Sequence, residues 1–307
     1  MIDFILPSAL TKKGFSDCRT AVIYSMAFNM GKNAESLPAL YFGFQFKDRV
    51  NDEMLHELLE PDGLYFSNPE SAESLCGLKF TETSYDKINL TNYFENNKAP
   101  VILVTDTYYC PWNMGYKKVH AEHDLIALGY DGGFLVVQDT FEGKKEMKAI
   151  IQELNPKSII FAQNTHKNQA LDAEGKLNLM KEALSFYLEN HTDEKIKKFA
   201  DMLNKPDELK KTMQGYEIPL LSPLFIKLRS LLISRLEFTV FLKACISSAP
   251  ETVKAFYNVG RLWKDAYHVL LRSTLKTEHE DISEACGIFY KTAKAEAEAV
   301  GRLYSSI

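Results

Sequence analysis

Apolar positions change their spacing about halfway along the chain. Up to about residue 165 they come in short β-branched or alternating runs set between turn formers. Beyond it they recur every three to four residues over long stretches. In the first part a helix is expected over 19–30, with apolar residues at Ala21, Val22, Met26, Ala27 and Met30 and Gly31 as its stop. Ser16 and Asp17 are the candidate caps in front of it. A shorter helix is expected over 52–59. The β-branched run 101–105 predicts a buried strand, and 123–130 and 134–139 predict two more, joined by the hairpin signal Asp131-Gly132-Gly133. Residues 158–161 read as a further short strand. The second part predicts helices over 171–188, 193–203, 206–214, 221–247, 251–276 and 280–304, with Pro250 at a helix start, where its missing N–H costs nothing.

Turn formers sharpen the division. Residues 1–169 hold 10 Gly and 7 Pro, and residues 170–307 hold 5 Gly and 4 Pro, so the boundary is placed in the polar stretch 163–169. The expected fold is α+β: a domain over 1–168 in which an antiparallel sheet packs on the 19–30 helix, and an all-helical region over 169–307. The late helices carry wide apolar stripes (Leu224, Leu228, Leu231, Leu232 and Leu236; Phe256, Leu262, Trp263, Tyr267 and Leu270). These stripes either pack inside a bundle or form a homodimer face or a docking surface. A basic patch of Lys227, Arg229, Arg235 and Lys243 would suit an acidic carrier protein.

Composition narrows the class. Of 307 residues 46% are hydrophobic and 25% charged, the make-up of a soluble globular protein. With 36 Lys+Arg against 41 Asp+Glu the net charge is −5, which supplies no global field for nucleic acid or anionic lipid. Five cysteines, an odd number, read as reduced thiols in a cytoplasmic protein rather than a disulfide framework. The opening residues lack a basic segment and a long apolar run, so no signal peptide is expected. The most apolar stretch, 220–246, is interrupted by Lys227, Arg229, Arg235, Glu237 and Lys243, so no membrane span is expected either.

Cys18 opens the first helix, where free N–H groups and the positive end of the dipole favour a thiolate. It is either a nucleophile or a small buried hydrophobe. His123 begins one hairpin strand and Asp139 ends the other. The order Cys, His, Asp is that of a papain-like site: the imidazole exchanges the thiol proton and the carboxylate fixes its tautomer. Register decides whether the pair can meet. A two-residue loop sets Asp124 opposite Asp139 and turns His123 to the other face. A three-residue loop or a bulge sets Leu125 opposite Asp139 and makes His123 its diagonal neighbour.

Three blocks carry a resemblance. They are Asp17-Cys18-Arg19-Thr20-Ala21, then Val101-Ile102-Leu103-Val104-Thr105-Asp106-Thr107-Tyr108-Tyr109, then His120-Ala121-Glu122-His123-Asp124-Leu125-Ile126-Ala127-Leu128-Gly129-Tyr130-Asp131 with Val136-Val137-Gln138-Asp139. Over about residues 10–165 the chain resembles the family of the butirosin biosynthesis protein H N-terminal domain. The resemblance implies a papain-like fold and a cysteine acyltransferase that needs no cofactor. It implies that Cys18 accepts an acyl group from the phosphopantetheine thioester of an acyl carrier protein, or from coenzyme A, and passes it to an amine in natural-product (antibiotic) biosynthesis. His123 would be the acid and base and Asp139 the orienting group. A thioesterase or amidase with the same triad is the alternative, and a non-catalytic binding module a third. Residues 11–16 contain no Gln for an oxyanion hole, which leaves the Cys18 N–H and a second donor such as Ser16.

The remaining candidates lie around the hairpin. Tyr108, Tyr109, Trp112 and Tyr116 either wall an acyl or acceptor site or pack the loop. His120 and His123 are spaced like a metal pair on a helix, but the flanks read as strand and no further ligand completes a tetrahedron, so no metal is expected and His120 is expected to line the cleft or stand exposed. Cys110 is the rival nucleophile, without a helix start to support its thiolate, and Asp106 is a turn cap or a group behind the site.

Overall fold

The computed structural model describes residues 18–32, 36–60, 75, 77–97, 99–140, 142–165, 171–246, 249–276 and 279–307. Ser16 and Asp17, expected as caps or oxyanion donors, lie outside the described residues, as does Cys76. Among the described residues the chain is mixed α+β, with ten α-helices, a six-stranded antiparallel sheet and a helical C-terminal region. It divides into two units, Met1–Ala34 with Glu73–Ala170 and Glu35–Ala72 with Leu171–Ile307. The division differs from a single cut at 168/169, because residues 35–72 group with the late helices.

The first unit holds the sheet. Its strands are β1 (Leu78–Ser84), β2 (Val101–Asp106), β3 (Glu122–Asp131), β4 (Phe134–Asp139), β5 (Lys144–Ala149) and β6 (Ser158–Asn164), in the order β1-β6-β2-β3-β4-β5. The inner strands are apolar and buried, and every residue of β2 is buried. On one face Val101, Leu103, Leu125, Ala127, Leu135, Val137 and Ile159 form a core with Leu90 and with Ile151 and Leu154. Leu90 opens a short helix, Leu90–Asn96, whose first turn is capped by Asn89. Helix α1 (Cys18–Asn29) packs against β3, buries Ala21, Val22, Ile23, Met26 and Ala27, and stops before Gly31, which has φ +69°.

The hairpin sets the register of the site. It closes on two residues, Gly132 and Gly133, both at positive φ, with Asp131 paired to Phe134. Between Ala127 and Gly129 the register shifts, so that Ala127 pairs with Val137 and Ile126 with Gln138. Leu128 is the extra residue of this β-bulge. The expected hairpin had two ways to bring His123 to Asp139, and the chain uses the bulge with a two-residue loop. Gly129 sits at the bulge with φ +146°, and a Cβ built there meets no atom within 4 Å. Gly129→Ala is therefore expected to cost about 1–3 kcal/mol through backbone strain alone, read as a lowered urea midpoint. A midpoint equal to that of the parent chain would show that the bulge does not need glycine.

The second unit holds the long helices. They are α2 (Ala173–Glu189), α3 (Thr192–Leu203), α4 (Glu208–Met213), α5 (Pro223–Cys245), α6 (Pro250–Lys276) and α7 (His279–Ser306), each within a few residues of its expected span. In place of the helix expected over 52–59 there is a single turn, Leu55–Leu58. Aromatic side chains explain why this early segment groups with the helices. Phe42 stacks on Phe238 at 4.0 Å between ring centroids, Phe44 meets Trp263 at 5.8 Å, and Phe46 meets Phe199 at 5.4 Å. Helix α5 exposes Ile226, Arg229, Val240 and Lys243 and buries most of the rest, Arg235 among them at 1% exposed. Arg235 therefore does not belong to the basic surface patch expected from the sequence. Its guanidinium faces Glu296 of α7 instead. Lys227, another member of that patch, donates from Nζ to the His56 carbonyl at 2.6 Å. No described helix is long and apolar enough to cross a membrane.

Candidate active site

Strand β3 alternates its side chains between two environments. His123, Leu125 and Ala127 share the face of the core just described, whereas Glu122 and Asp124 point to the other. Helix α1 lies on that other face, since Arg19 forms an ion pair through Nε with Asp124 Oδ2. The Arg19 NH2 group also reaches Asp124 Oδ1 at 3.2 Å and Glu122 Oε1 at 3.3 Å. Burial disfavours the charges of this pair. It pushes the Asp124 carboxyl up to about 6 against the pull of Arg19. The guanidinium is also desolvated, but the carboxylates around it more than offset that and hold its pKa up. Arg19 follows Cys18 and Asp124 follows His123, so this ion pair clamps together the two segments that carry the candidate nucleophile and base.

The Cys18 sulfur, half-buried, lies 3.9 Å from the carbonyl oxygen of Glu122, the residue before His123. The direction of that carbonyl follows from the ladder. Thr107 N–H donates to Ala121 O at 2.9 Å, so the hydrogen-bonded pairs of β2 and β3 are 107/121 and 105/123. The carbonyl of Glu122 thus points away from β2, toward the side on which β4 lies. Pairing of β3 with β4 ends at Ile126 and Gln138, so the sulfur stands beside β3 beyond that ladder, at the level of the His123 peptide.

Asp139 ends β4 and is fully buried. Its Oδ2 receives His123 Nε2 at 2.7 Å and the indole N–H of Trp112 at 2.8 Å. Its Oδ1 receives the Glu142 N–H at 2.9 Å. Burial by itself would raise the carboxyl pKa, but the His123 contact and the N–H donors outweigh it and hold the group below its usual range. Burial pulls His123 the other way, toward the neutral form, and the hydrogen bond and charge of Asp139 turn the net shift upward. With Nε2 at Asp139, Nδ1 is the ring nitrogen turned away from that carboxylate.

The other candidates fall into place around this pair. Cys110 is buried, donates toward the Asp106 carbonyl at 3.5 Å, and has its pKa pushed up to about 12 by burial and the nearby carboxylates, which makes it a protonated, inert thiol near pH 7. Trp112, expected either to wall an acyl or acceptor site or to pack the loop, donates its indole N–H to Asp139 and packs against the sheet core. Nothing in the sequence beyond its indole N–H pointed to that role, because the loop 110–121 has no regular periodicity. Tyr108 stacks on His120 at 4.2 Å, with Tyr109 edge-on to the same imidazole at 6.3 Å. Tyr116 carries Lys117 over its ring at 5.1 Å. Asp106 accepts the Tyr108 N–H, as a turn cap does, and also takes His120 Nδ1 at 3.1 Å.

The arrangement has the parts of a thiol–imidazole–carboxylate site: a sulfur at a helix N-terminus, an imidazole with one nitrogen fixed, and a buried carboxylate held by three donors. Neither a family model nor a curated protein matches the chain.

Proposed function

We propose that the chain is a cysteine-dependent acyltransferase with a papain-like catalytic unit. Cys18 Sγ attacks the carbonyl carbon of a thioester donor, an acyl carrier protein or coenzyme A. The C–S bond to the donor breaks, and His123 returns the thiol proton to the leaving sulfur. The acyl group then rests on Cys18 as a thioester until an amine takes it, as in natural-product biosynthesis. His123 handles the protons through Nδ1, and Asp139 keeps its tautomer and stabilises the imidazolium. The observation that carries the reading is the 2.7 Å contact of His123 Nε2 with a carboxylate that is itself fixed by Trp112 and Glu142, one residue along the strand from the carbonyl the Cys18 sulfur touches.

Intact-mass measurement after mixing with acyl thioesters tests it. The chain is expected to gain one acyl mass, and Cys18→Ala is expected to gain none. An adduct that persists in Cys18→Ala, or no adduct with any activated acyl donor, would refute the assignment. Release of the free acid in the presence of abundant amine would make the enzyme a hydrolase.

A further inference from the structure

A second histidine–carboxylate pair stands beside the first. His120 Nδ1 lies 3.1 Å from Asp106 Oδ2, and its ring is stacked on Tyr108 at an interplanar angle of 13°. Asp106 is nearly buried and is held independently of the histidine, because its Oδ1 accepts the N–H groups of Tyr108 at 2.9 Å and Ala121 at 3.2 Å. The His120 side chain is 64% exposed, so its Nε2 edge is open to an incoming molecule. Asp106 faces Glu122 across the β2–β3 pair, and Glu122 O is the atom 3.9 Å from the Cys18 sulfur. His120 lies two residues before Glu122, about 7 Å along an extended chain.

The charges around this spot suit a cation. Among the described residues the carboxylates Glu82, Asp106, Glu122 and Asp124 outnumber the cations near them, the Arg19 guanidinium and the ammonium groups of Lys117 and Lys118 in the loop before His120. An alkyl amine arrives at such a place as an ammonium ion, which is not a nucleophile. It must lose one proton before it attacks and a second after the C–N bond forms. Water surrenders only one proton in the same step. One imidazole, His123, is enough for water but one short for an ammonium acceptor.

We propose that His120, oriented by Asp106, is the base that deprotonates an ammonium acceptor before it attacks the Cys18 thioester. The inference rests on the acyl-transfer reading above and names the acceptor class as an alkyl amine that is cationic in solution. The ammonium gives its first proton to His120 Nε2. The neutral amine attacks the acyl carbon, the C–N bond forms, and the C–S bond to Cys18 breaks with sulfur leaving as thiolate. The remaining proton on nitrogen passes to His123, and His120 returns its proton to solvent.

The test loads Cys18 with 4-nitrophenyl acetate and follows deacylation by 1,4-diaminobutane, by hydroxylamine (uncharged near pH 7) and by water. In His120→Ala the diamine reaction is expected to slow by about tenfold or more, with the hydroxylamine and water reactions within about twofold of the parent chain. Added imidazole is expected to restore the diamine rate. Equal slowing of all three reactions would assign His120 a structural role and overturn the inference, and so would an unchanged diamine rate. A parent chain that forms no acetyl-Cys18 would overturn the acyl-transfer reading itself, whereas an acetyl-enzyme whose amine step ignores His120 overturns only the inference.

Discussion

His123→Ala is expected to lower single-turnover acylation of Cys18 by about 10²–10⁴-fold, the usual contribution of a positioned acid–base group, while the sheet stays folded. The fold survives because the variant does not orphan Asp139, which keeps the N–H groups of Trp112 and Glu142. The rate falls because His120, the other imidazole nearby, is held by Asp106 and not by Asp139, and so does not take the place of the one at the Glu122–His123 peptide, where the sulfur lies. Asp139→Asn is expected to fall between this variant and the parent chain. An amide that turns its oxygen to His123 and Trp112 presents its NH2 to the Glu142 N–H, so the imidazole keeps its place at the expense of a donor facing a donor. Release of 4-nitrophenol in a stopped-flow experiment gives both rates, and circular dichroism checks the fold. A His123→Ala rate equal to that of the parent chain would remove the imidazole from the chemistry.

The second large effect concerns stability. Arg235→Met is expected to destabilise the helical unit by about 3–5 kcal/mol, since it strands a buried carboxylate. Arg235 and Glu296 are 1% and 0% exposed, with NH2 to Oε1 at 2.9 Å and Nε to Oε2 at 3.3 Å. The guanidinium also donates to the Gly43 carbonyl at 2.6 Å and to Ser234 Oγ at 3.2 Å, and lies over the rings of Phe42 and Trp263. Trp263 adds its indole N–H to Glu296 Oε2 at 2.7 Å. Each nitrogen of the guanidinium therefore has a partner, and of the hydrogen bonds to Glu296 described here the loss of the arginine leaves only the indole's. The double variant Arg235→Met/Glu296→Gln removes the uncompensated charge and is expected to recover much of the loss. Urea titration followed by tryptophan fluorescence, with Trp112→Phe in the background of all three chains so that Trp263 is the reporter, measures the effect, and a single variant as stable as the parent would mean that the pair contributes nothing net.

The parts of this fold that could be read from the sequence are those where periodicity and burial coincide. The strands β2, β3 and β4 and the helices α1 to α7 bury apolar residues at regular spacing, and each was expected close to where it lies. The two edge strands were not expected. Lys144–Ala149 reads KKEMKA and Leu78–Ser84 reads LKFTETS, because an unpaired edge is protected by charge and so carries almost no apolar signal. Arg235 misled for the opposite reason. Arg235 was grouped with Arg229 and Lys243 as a basic patch, but those two lie on the exposed side of α5 whereas Arg235 falls on the buried side, where its charge had to find a buried partner. At the site, Cys18, His123 and Asp139 stood out through residue type and order. The bulge that aligns them was required by the pattern but not located by it, since Gly129 has no distinctive neighbour. The Trp112 contact depended on an irregular loop and left no trace in the spacing.

The discontinuous course of the chain also governs how it can be cut and how it is made. A fragment ending near residue 168 would contain the sheet but would display Phe42, Phe44 and Phe46 with no helices to receive them. A fragment beginning near 169 would leave the guanidinium of Arg235 without the Gly43 carbonyl. Neither half is a self-sufficient piece. During synthesis the same arithmetic makes residues 36–60 wait, exposed and aromatic, until α6 has left the ribosome, long after the sheet can close. That delay is the interval in which a nascent chain of this kind most needs a chaperone.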